Sequence, residues 1–344
     1  MRKQPESAKQ VEKRKIEHLK IQLTKPVEYK NKTTLLEDVF LIHNALPEFD
    51  RSEVDTSITF LGKKLKAPFM ISAITGGSKL SAKINRNNAK AAQKLGLAMG
   101  LGSMKAMIVE PSLTYSYSVR DLAPDILLIG NIGANDLVNF PPRVLKKAMQ
   151  KVGIDILAVH LNPTQELVQK EGEAKFKGVL NLIKRYSKEL PILVKECGQG
   201  ISTEVAQKLS SADIKAIDVG GAGGTSWPGI EYLRKGQDHG LFWDWGIPTA
   251  LSIMETRKGT KLPIIATGGI RSGEDVVKAI VLGASIGSAA LPLLKTANID
   301  SSEKYLENLI KETGDVMFLV GARTVIDLAK CRTIITGRLK ELTS

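Results

Sequence analysis

The chain has 344 residues, 43% of them hydrophobic and 25% charged, which is enough apolar material for a substantial core and excludes an intrinsically disordered chain. Lysine and arginine number 49 against 36 aspartate and glutamate, a formal +13 that favours anionic partners without choosing among them. Cys197 and Cys331, the two cysteines, cannot build a disulfide framework or a cysteine-rich zinc site, and point to a reducing, cytoplasmic compartment.

The basic start, MRKQPESAKQVEKRKIEHLK, lacks the apolar core of a secretion signal. No later stretch approaches the roughly 20 apolar residues of a membrane helix. With 5% aromatic residues there is no stacking platform for single-stranded nucleic acid. The expectation is therefore no membrane and no nucleic-acid partner.

In chain order, the segment of about 1–65 precedes the periodic part, and Val11 to Lys32 reads as a short helix and a loop. Eight short apolar, β-branched runs follow: Phe69 to Ile74, Leu97 to Met99, Ile126 to Ile129, Ile154 to Val159, Ile192 to Val194, Ala216 to Val219, Ile264 to Ala266 and Ser285 to Ala289. Between them, NRNNAKAAQKLG, PRVLKKAMQKVG, TEVAQKLSSA and GEDVVKAIVLGA have the pattern of amphipathic helices. Near-continuous hydrophobicity suits parallel strands covered on both faces. The alternation predicts an α/β fold, a TIM (β/α)8 barrel, in preference to an open doubly wound sheet. It occupies about 66–295 of a single domain spanning 1–344. Gly223 to Pro248, which holds Trp227, Trp243 and Trp245, reads as a long loop after the sixth strand, and the residues beyond Ile299 as helices packed back on the barrel.

In such a barrel the reacting groups lie at the carboxyl ends of the strands. The glycine-rich turns after the seventh and eighth runs, Thr267 to Gly273 and Ala289 to Leu291, resemble a barrel phosphate site, where backbone N–H groups approach an anion. Lys195 ends the fifth run, where a desolvated ammonium needs an anionic partner such as a reduced flavin, unless its head reaches water. His160, Asn162, Gln165 and Glu166 follow the fourth run as a dense polar set suited to a diphosphate bound through Mg²⁺. Taken alone, Arg14, Lys15 and His18 read as an exposed charged helix face rather than a phosphate clamp.

These motifs together resemble the type 2 isopentenyl-diphosphate delta-isomerases, FMN-dependent TIM-barrel enzymes, from about Arg14 to Pro292. The resemblance rests on RKIEHL at Arg14, TGG at Thr75, GSM at Gly102, HLNPTQE at His160, KECGQGIS at Lys195, GGAGGTSW at Gly220, DWGIPT at Asp244 and TGGIRSG at Thr267. It implies that FMN is held by Ala73, Ile74, Thr75, Ser103, Asn131, Lys195, Gly220, Thr225, Gly269, Ile270, Arg271, Ala290 and Leu291. It likewise implies that Arg14, Lys15, Ser103, Lys105, His160, Asn162 and Gln165 bind substrate, that Lys195, His160 and Gln165 take part in catalysis, and that Glu166 is the Mg²⁺ ligand. Family members generally carry Arg where this chain has Lys105, which keeps the charge and loses the bidentate fork.

The implied activity is interconversion of isopentenyl and dimethylallyl diphosphates in isoprenoid biosynthesis, with the flavin reduced by NAD(P)H and Mg²⁺ bound. The implied assembly is a homotetramer or larger. An FMN-dependent hydroxyacid oxidase needs a catalytic histidine that none of His18, His43, His160 and His239 supplies after the sixth run. A purine-nucleotide dehydrogenase needs a cysteine in a mobile loop. The other readings of the residues are a lysine Schiff-base aldolase built on Lys195 and a non-catalytic flavin-binding protein.

Overall fold

The computed structural model describes residues 8–298 and 300–344. Eight parallel strands close into a barrel: β1 Phe69–Ile71, β2 Ala98–Gly100, β3 Leu128–Gly133, β4 Ile156–His160, β5 Ile192–Lys195, β6 Ile217–Asp218, β7 Ile264–Thr267 and β8 Ile286–Ala289. Each pairs with its sequence neighbour, and β8 returns to β1 through Gly287 opposite Phe69. All eight lie within the runs read from the sequence or within two residues of them, except that β3 extends further, to Gly133.

Strand alternation sends every second side chain inward. Met70, Ala98, Leu127, Ile129, Ile156, Ala158, Leu193, Ala216, Ile265 and Ile286 fill the barrel, and all are buried. One step further along the same inward series stand Ser72, Asn131, His160, Lys195, Asp218, Thr267 and Ser288. The barrel is thus apolar in its lower layers and polar at its carboxyl end.

Its other end is stoppered by a hairpin, Ile58–Phe60 against Lys63–Leu65, whose Phe60 and Leu65 join the interior cluster. Full burial of each side chain is worth about 1.5–3 kcal/mol. The two-residue turn takes positive φ at both Leu61 (48°) and Gly62 (82°), the conformation that matches the strand twist.

Three elements differ from the reading of the sequence. The N-terminal helix is long, Ala8–Thr24, and seats Leu19 with Ile84, Ile230, Leu291 and Leu294. The segment after β6 contains a helix, Trp227–Arg234, because Ser226 accepts from Gly229 N (3.1 Å) and Pro228 sits in its first turn. Beyond helix Ser302–Leu319, the chain turns back and Thr333–Ile335 pairs antiparallel with Val39–Leu41, so the two extensions share a small sheet.

Candidate active site

The polar upper layer opens onto a cavity with about 500 Å³ of open space, its solvent mouth included. One wall is glycine-rich. Gly268 and Gly269 take φ of +114° and +75°, and a Cβ on Gly269 would lie 2.3 Å from Thr34 Cγ2. Among the described residues, the N–H groups of Gly268, Gly269 and Ala290 have no intramolecular acceptor. The start of helix Gly273–Val281 is already satisfied: Asp275 accepts from Arg271 N (2.9 Å) and Ser272 N (3.1 Å), and Glu312 from Gly273 N (2.9 Å). The anion-binding capacity therefore lies in the preceding turn.

Lys195 lines the same cavity. Its ammonium donates to the Glu196 carbonyl at 2.6 Å, with Cys197 Sγ 3.9 Å away. Burial works against the charge, but Cys197, Asp218 and Glu196 outweigh it and raise the pKa above the usual lysine value. Glu196 Oε2 accepts from the N–H groups of Cys197 (2.5 Å), Gly198 (2.8 Å) and Gln199 (2.6 Å). Burial nevertheless raises Glu196 to about 7 and the Cys197 thiol to about 12. Asp218 Oδ2, Thr267 Oγ1 and Ser288 Oγ are buried without a partner among the described residues. A cation, the unpartnered Thr267 hydroxyl and free N–H groups around one cavity fit a flavin mononucleotide, which brings polar ring edges and a phosphate.

Of the residues expected to hold FMN, Ala73, Lys195, Gly220, Thr225, Gly269, Arg271, Ala290 and Leu291 line this cavity. Ile74, Thr75, Ser103, Asn131 and Ile270 stand outside its wall. The Thr75 hydroxyl is bonded to Ser81 Oγ (2.8 Å), Asn131 Oδ1 to His160, and Ile270 packs in the core. The Arg271 guanidinium is paired with Glu28 Oε1 at 2.5 Å, a partner that no motif announced.

Beside the cavity, the N-terminal helix brings cations to the barrel mouth. Lys15 Nζ donates to the Ser103 carbonyl (3.1 Å) and to the Tyr117 hydroxyl (3.4 Å). Burial, then the charges of Arg14 and Lys105, hold its pKa down to about 7 against the attraction of Asp136. Lys105 pairs with Asp136 at 2.8 Å. Gln169, with its amide turned to satisfy both ends, accepts from Arg14 Nη1 (3.3 Å) and donates to Glu231 Oε1 (3.2 Å). His160 Nδ1 donates to Asn131 Oδ1 at 2.6 Å, which leaves Nε2 as a free acceptor. Burial and the charges of Lys195, Lys15 and Lys105 lower its pKa to about 3, so the imidazole is neutral.

Glu166 is fixed from both sides, Oε1 accepting from Asn162 Nδ2 (3.0 Å) and Oε2 from Glu173 N (2.9 Å). Asn162 Nδ2 also reaches Gln165 Oε1 at 3.3 Å. No group of three or more metal-ligating side chains occurs among the described residues. A Mg²⁺ here would take one carboxylate and complete its shell with phosphate and water oxygens. His18 Nε2 meets Glu231 Oε1 at 2.8 Å and belongs to the support of the N-terminal helix.

A model of the FMN-dependent dehydrogenase family matches residues 7–114 and 160–334. An isopentenyl-diphosphate delta-isomerase of Thermococcus onnurineus is 46% identical over 346 residues, 95% of this chain and 92% of that one. The chain belongs to the isopentenyl-diphosphate delta-isomerase family. A second isomerase of that name, from Methanothermobacter thermautotrophicus, is 45% identical over 95% of this chain and 94% of its own. Among solved structures, mandelate oxidase with (S)-2-phenylpropionate aligns with a TM-score of 0.65 at 20% identity, covering 96% of this chain and 99% of that one. That likeness carries the barrel fold alone.

Asp218, Glu196, Tyr117, Glu28 and Glu231 were missed as site residues. Asp218 carried a signal: it follows Ala216 by two positions, as Lys195 follows Leu193, so the same alternation directs both inward. Glu196 directly follows Lys195 inside the quoted KECGQGIS segment, whereas Tyr117, Glu28 and Glu231 come from loops and helices whose approach no local pattern encodes.

Proposed function

We propose that this chain interconverts isopentenyl diphosphate and dimethylallyl diphosphate in isoprenoid biosynthesis, using FMN and Mg²⁺. The observation that carries the reading is the junction of two unlike sites at one barrel mouth. A glycine-walled cavity with a charged lysine adjoins a cluster of Arg14, Lys15 and Lys105 around a neutral His160. When bound in its reduced form, with NAD(P)H as the reductant, FMN supplies an acid–base centre, so that protons are exchanged without net electron transfer.

The chain's own residues do the rest. Lys195 balances negative charge on the reduced cofactor, and the turn at Gly268 and Gly269 with Ala290 and Leu291 holds its phosphate. Ala73, Gly220, Thr225 and Arg271 complete that shell, with Ile74, Thr75, Ser103, Asn131 and Ile270 standing behind it. Arg14, Lys15 and Lys105 hold the substrate's diphosphate, and Glu166 its Mg²⁺, so that binding energy from the remote anion positions a small apolar tail. His160 Nε2, Asn162 and Gln165 orient the substrate as neutral groups. The raised pKa of Lys195 disfavours the Schiff-base reading, which requires an uncharged amine. A cytoplasmic homotetramer working on a small-molecule substrate completes the proposal.

The test is anaerobic conversion of isopentenyl diphosphate with FMN and Mg²⁺, reduced against oxidised. Product only with reduced flavin is expected, and Lys195→Ala lowers turnover at least tenfold. Tight FMN binding with no product in either state would overturn the isomerase reading while leaving the cofactor site. Unchanged substrate affinity and turnover in Arg14→Ala and Lys15→Ala would remove the clamp.

A further inference from the structure

Tyr117 lies outside every motif of the sequence, yet its ring is wholly buried and its hydroxyl reaches the barrel mouth. The O–H donates to the Ser103 carbonyl at 2.7 Å. That same carbonyl accepts from Lys15 Nζ, whose second contact is the phenol oxygen itself. The three groups form a closed triangle, with the ammonium 5.9 Å from the ring centroid.

The ring cannot move away from this post. A Cβ on Gly76 would lie 2.1 Å from Tyr117 Cε1, so the Gly76 turn is shaped to the ring. The neighbouring Ser116 is tied to the same turn, its Oγ accepting from Gly77 N (2.7 Å) and its carbonyl from Asn85 Nδ2 (2.8 Å). The aromatic body is thus fixed by packing, and its polar tip is aimed at Lys15 and Ser103.

We propose that Tyr117 is the positioning residue of the diphosphate clamp: its phenol oxygen seats the Lys15 amine as an ammonium, and its O–H locks the Ser103 carbonyl beside it. This rests on the reading of the mouth as a diphosphate site. The physical basis is that Lys15 makes no ion pair among the described residues. The groups facing it are Arg14 and Lys105, which repel its charge, Asp136, which attracts it and is already paired with Lys105, the neutral His160, and Tyr117. Burial pushes the Tyr117 phenol far above its ordinary range, so it stays protonated and both donates and accepts. Hydrogen bonds to the charged form of an amine hold the proton on. Loss of the phenol oxygen therefore lowers the Lys15 pKa further.

The experiment uses the FMN-loaded, oxidised enzyme, with Mg²⁺ and isopentenyl diphosphate titrated by calorimetry from pH 6 to 9. The proteins are wild type, Tyr117→Phe and Lys15→Arg. Affinity in the wild type falls as pH rises through the Lys15 titration. Tyr117→Phe weakens binding about fivefold at pH 7.5, roughly the net worth of one typical intramolecular hydrogen bond, and moves the alkaline limb about half a unit lower. In turnover with reduced flavin, KM rises by a similar factor while kcat stays within twofold. Lys15→Arg, charged throughout, loses the alkaline limb.

A merely structural role for the ring would lower thermal stability without moving that limb. A wild-type limb and affinity in Tyr117→Phe overturn the proposal. Should the wild type bind neither isopentenyl diphosphate nor inorganic diphosphate, the reading of the site fails instead. The Tyr117–Lys15 link is then decided by NMR titration of the isotopically labelled lysine without ligand, where an unchanged pKa in Tyr117→Phe refutes it.

Discussion

Replacing Glu231 by alanine removes the carboxylate that fastens the N-terminal helix to the barrel. Glu231 is fully buried. Oε1 accepts from His18 Nε2 (2.8 Å) and Oε2 pairs with Arg234 Nη1 (2.6 Å). Burial holds the His18 pKa below its usual value, so the neutral ring donates its Nε2–H. Breaking a buried ion pair by removing one partner costs about 3–5 kcal/mol. Arg234 retains Glu171 at 3.1 Å and Glu17 at 3.3 Å, which places the loss near the lower end, about 3 kcal/mol. With an unfolding entropy near 2.1 cal/mol/K per residue, 344 residues give ~0.7 kcal/mol/K, and Tm falls by about 4 °C. Scanning calorimetry reads this shift, and hydrogen exchange reads faster amide exchange across Glu12–Leu23. Glu231→Gln keeps an oxygen and an N–H and loses about half as much. An alanine variant with Tm within 1 °C of wild type and unchanged exchange in the helix would refute the reasoning.

Two further predictions concern pH. His160, neutral in the fold with its pKa near 3, contributes stability that is complete above about 6.5 and is lost as pH falls toward 3, because the unfolded state takes up the proton first. The stability difference between wild type and His160→Gln in urea unfolding therefore shrinks from pH 7 to 4; a flat difference contradicts it. Glu196 has the opposite sign, since its pKa is raised to about 7: its contribution is complete below about 4.5 and is lost as pH rises through 7. Glu196→Gln gains on wild type between pH 5 and 8 in the same assay, and a constant offset would show that the carboxyl is not held up. Gly269→Ala forces a Cβ against Thr34 at φ +75° and lowers FMN affinity at least tenfold by flavin fluorescence titration. FMN affinity within twofold of wild type would remove that turn from the cofactor site.

The barrel was legible because its strands are short apolar runs and its helices amphipathic, two periods that each report a local environment. Lys195 and His160 were legible as site residues because each terminates such a run. The helix at Trp227–Arg234 was missed since its signals, Ser226 and Pro228, sit in a segment whose glycines and tryptophans resemble a loop. The pairing of Thr333–Ile335 with Val39–Leu41 joins residues nearly 300 positions apart, and three-residue strands at such separation leave no periodic trace. The carboxylates Asp218 and Glu28 act through burial and approach that depend on the closed barrel, whereas Glu196 and Glu231 also rest on near neighbours in sequence, Cys197 to Gln199 and Arg234.

The small sheet between the extensions bears on how the molecule is made. In sequence Val39–Leu41 lies between the N-terminal helix and the barrel, and its partner strand follows the last barrel strand. The last turn adds to the join, Leu339 N donating to Asp38 Oδ2 at 2.9 Å. During translation the barrel strands leave the ribosome in pairing order, each after the first finding a neighbour already present, whereas Val39–Leu41 waits until Thr333–Ile335 has emerged. Residues made before the barrel are therefore tethered by residues made after it, and this join closes only once every barrel strand has been synthesised.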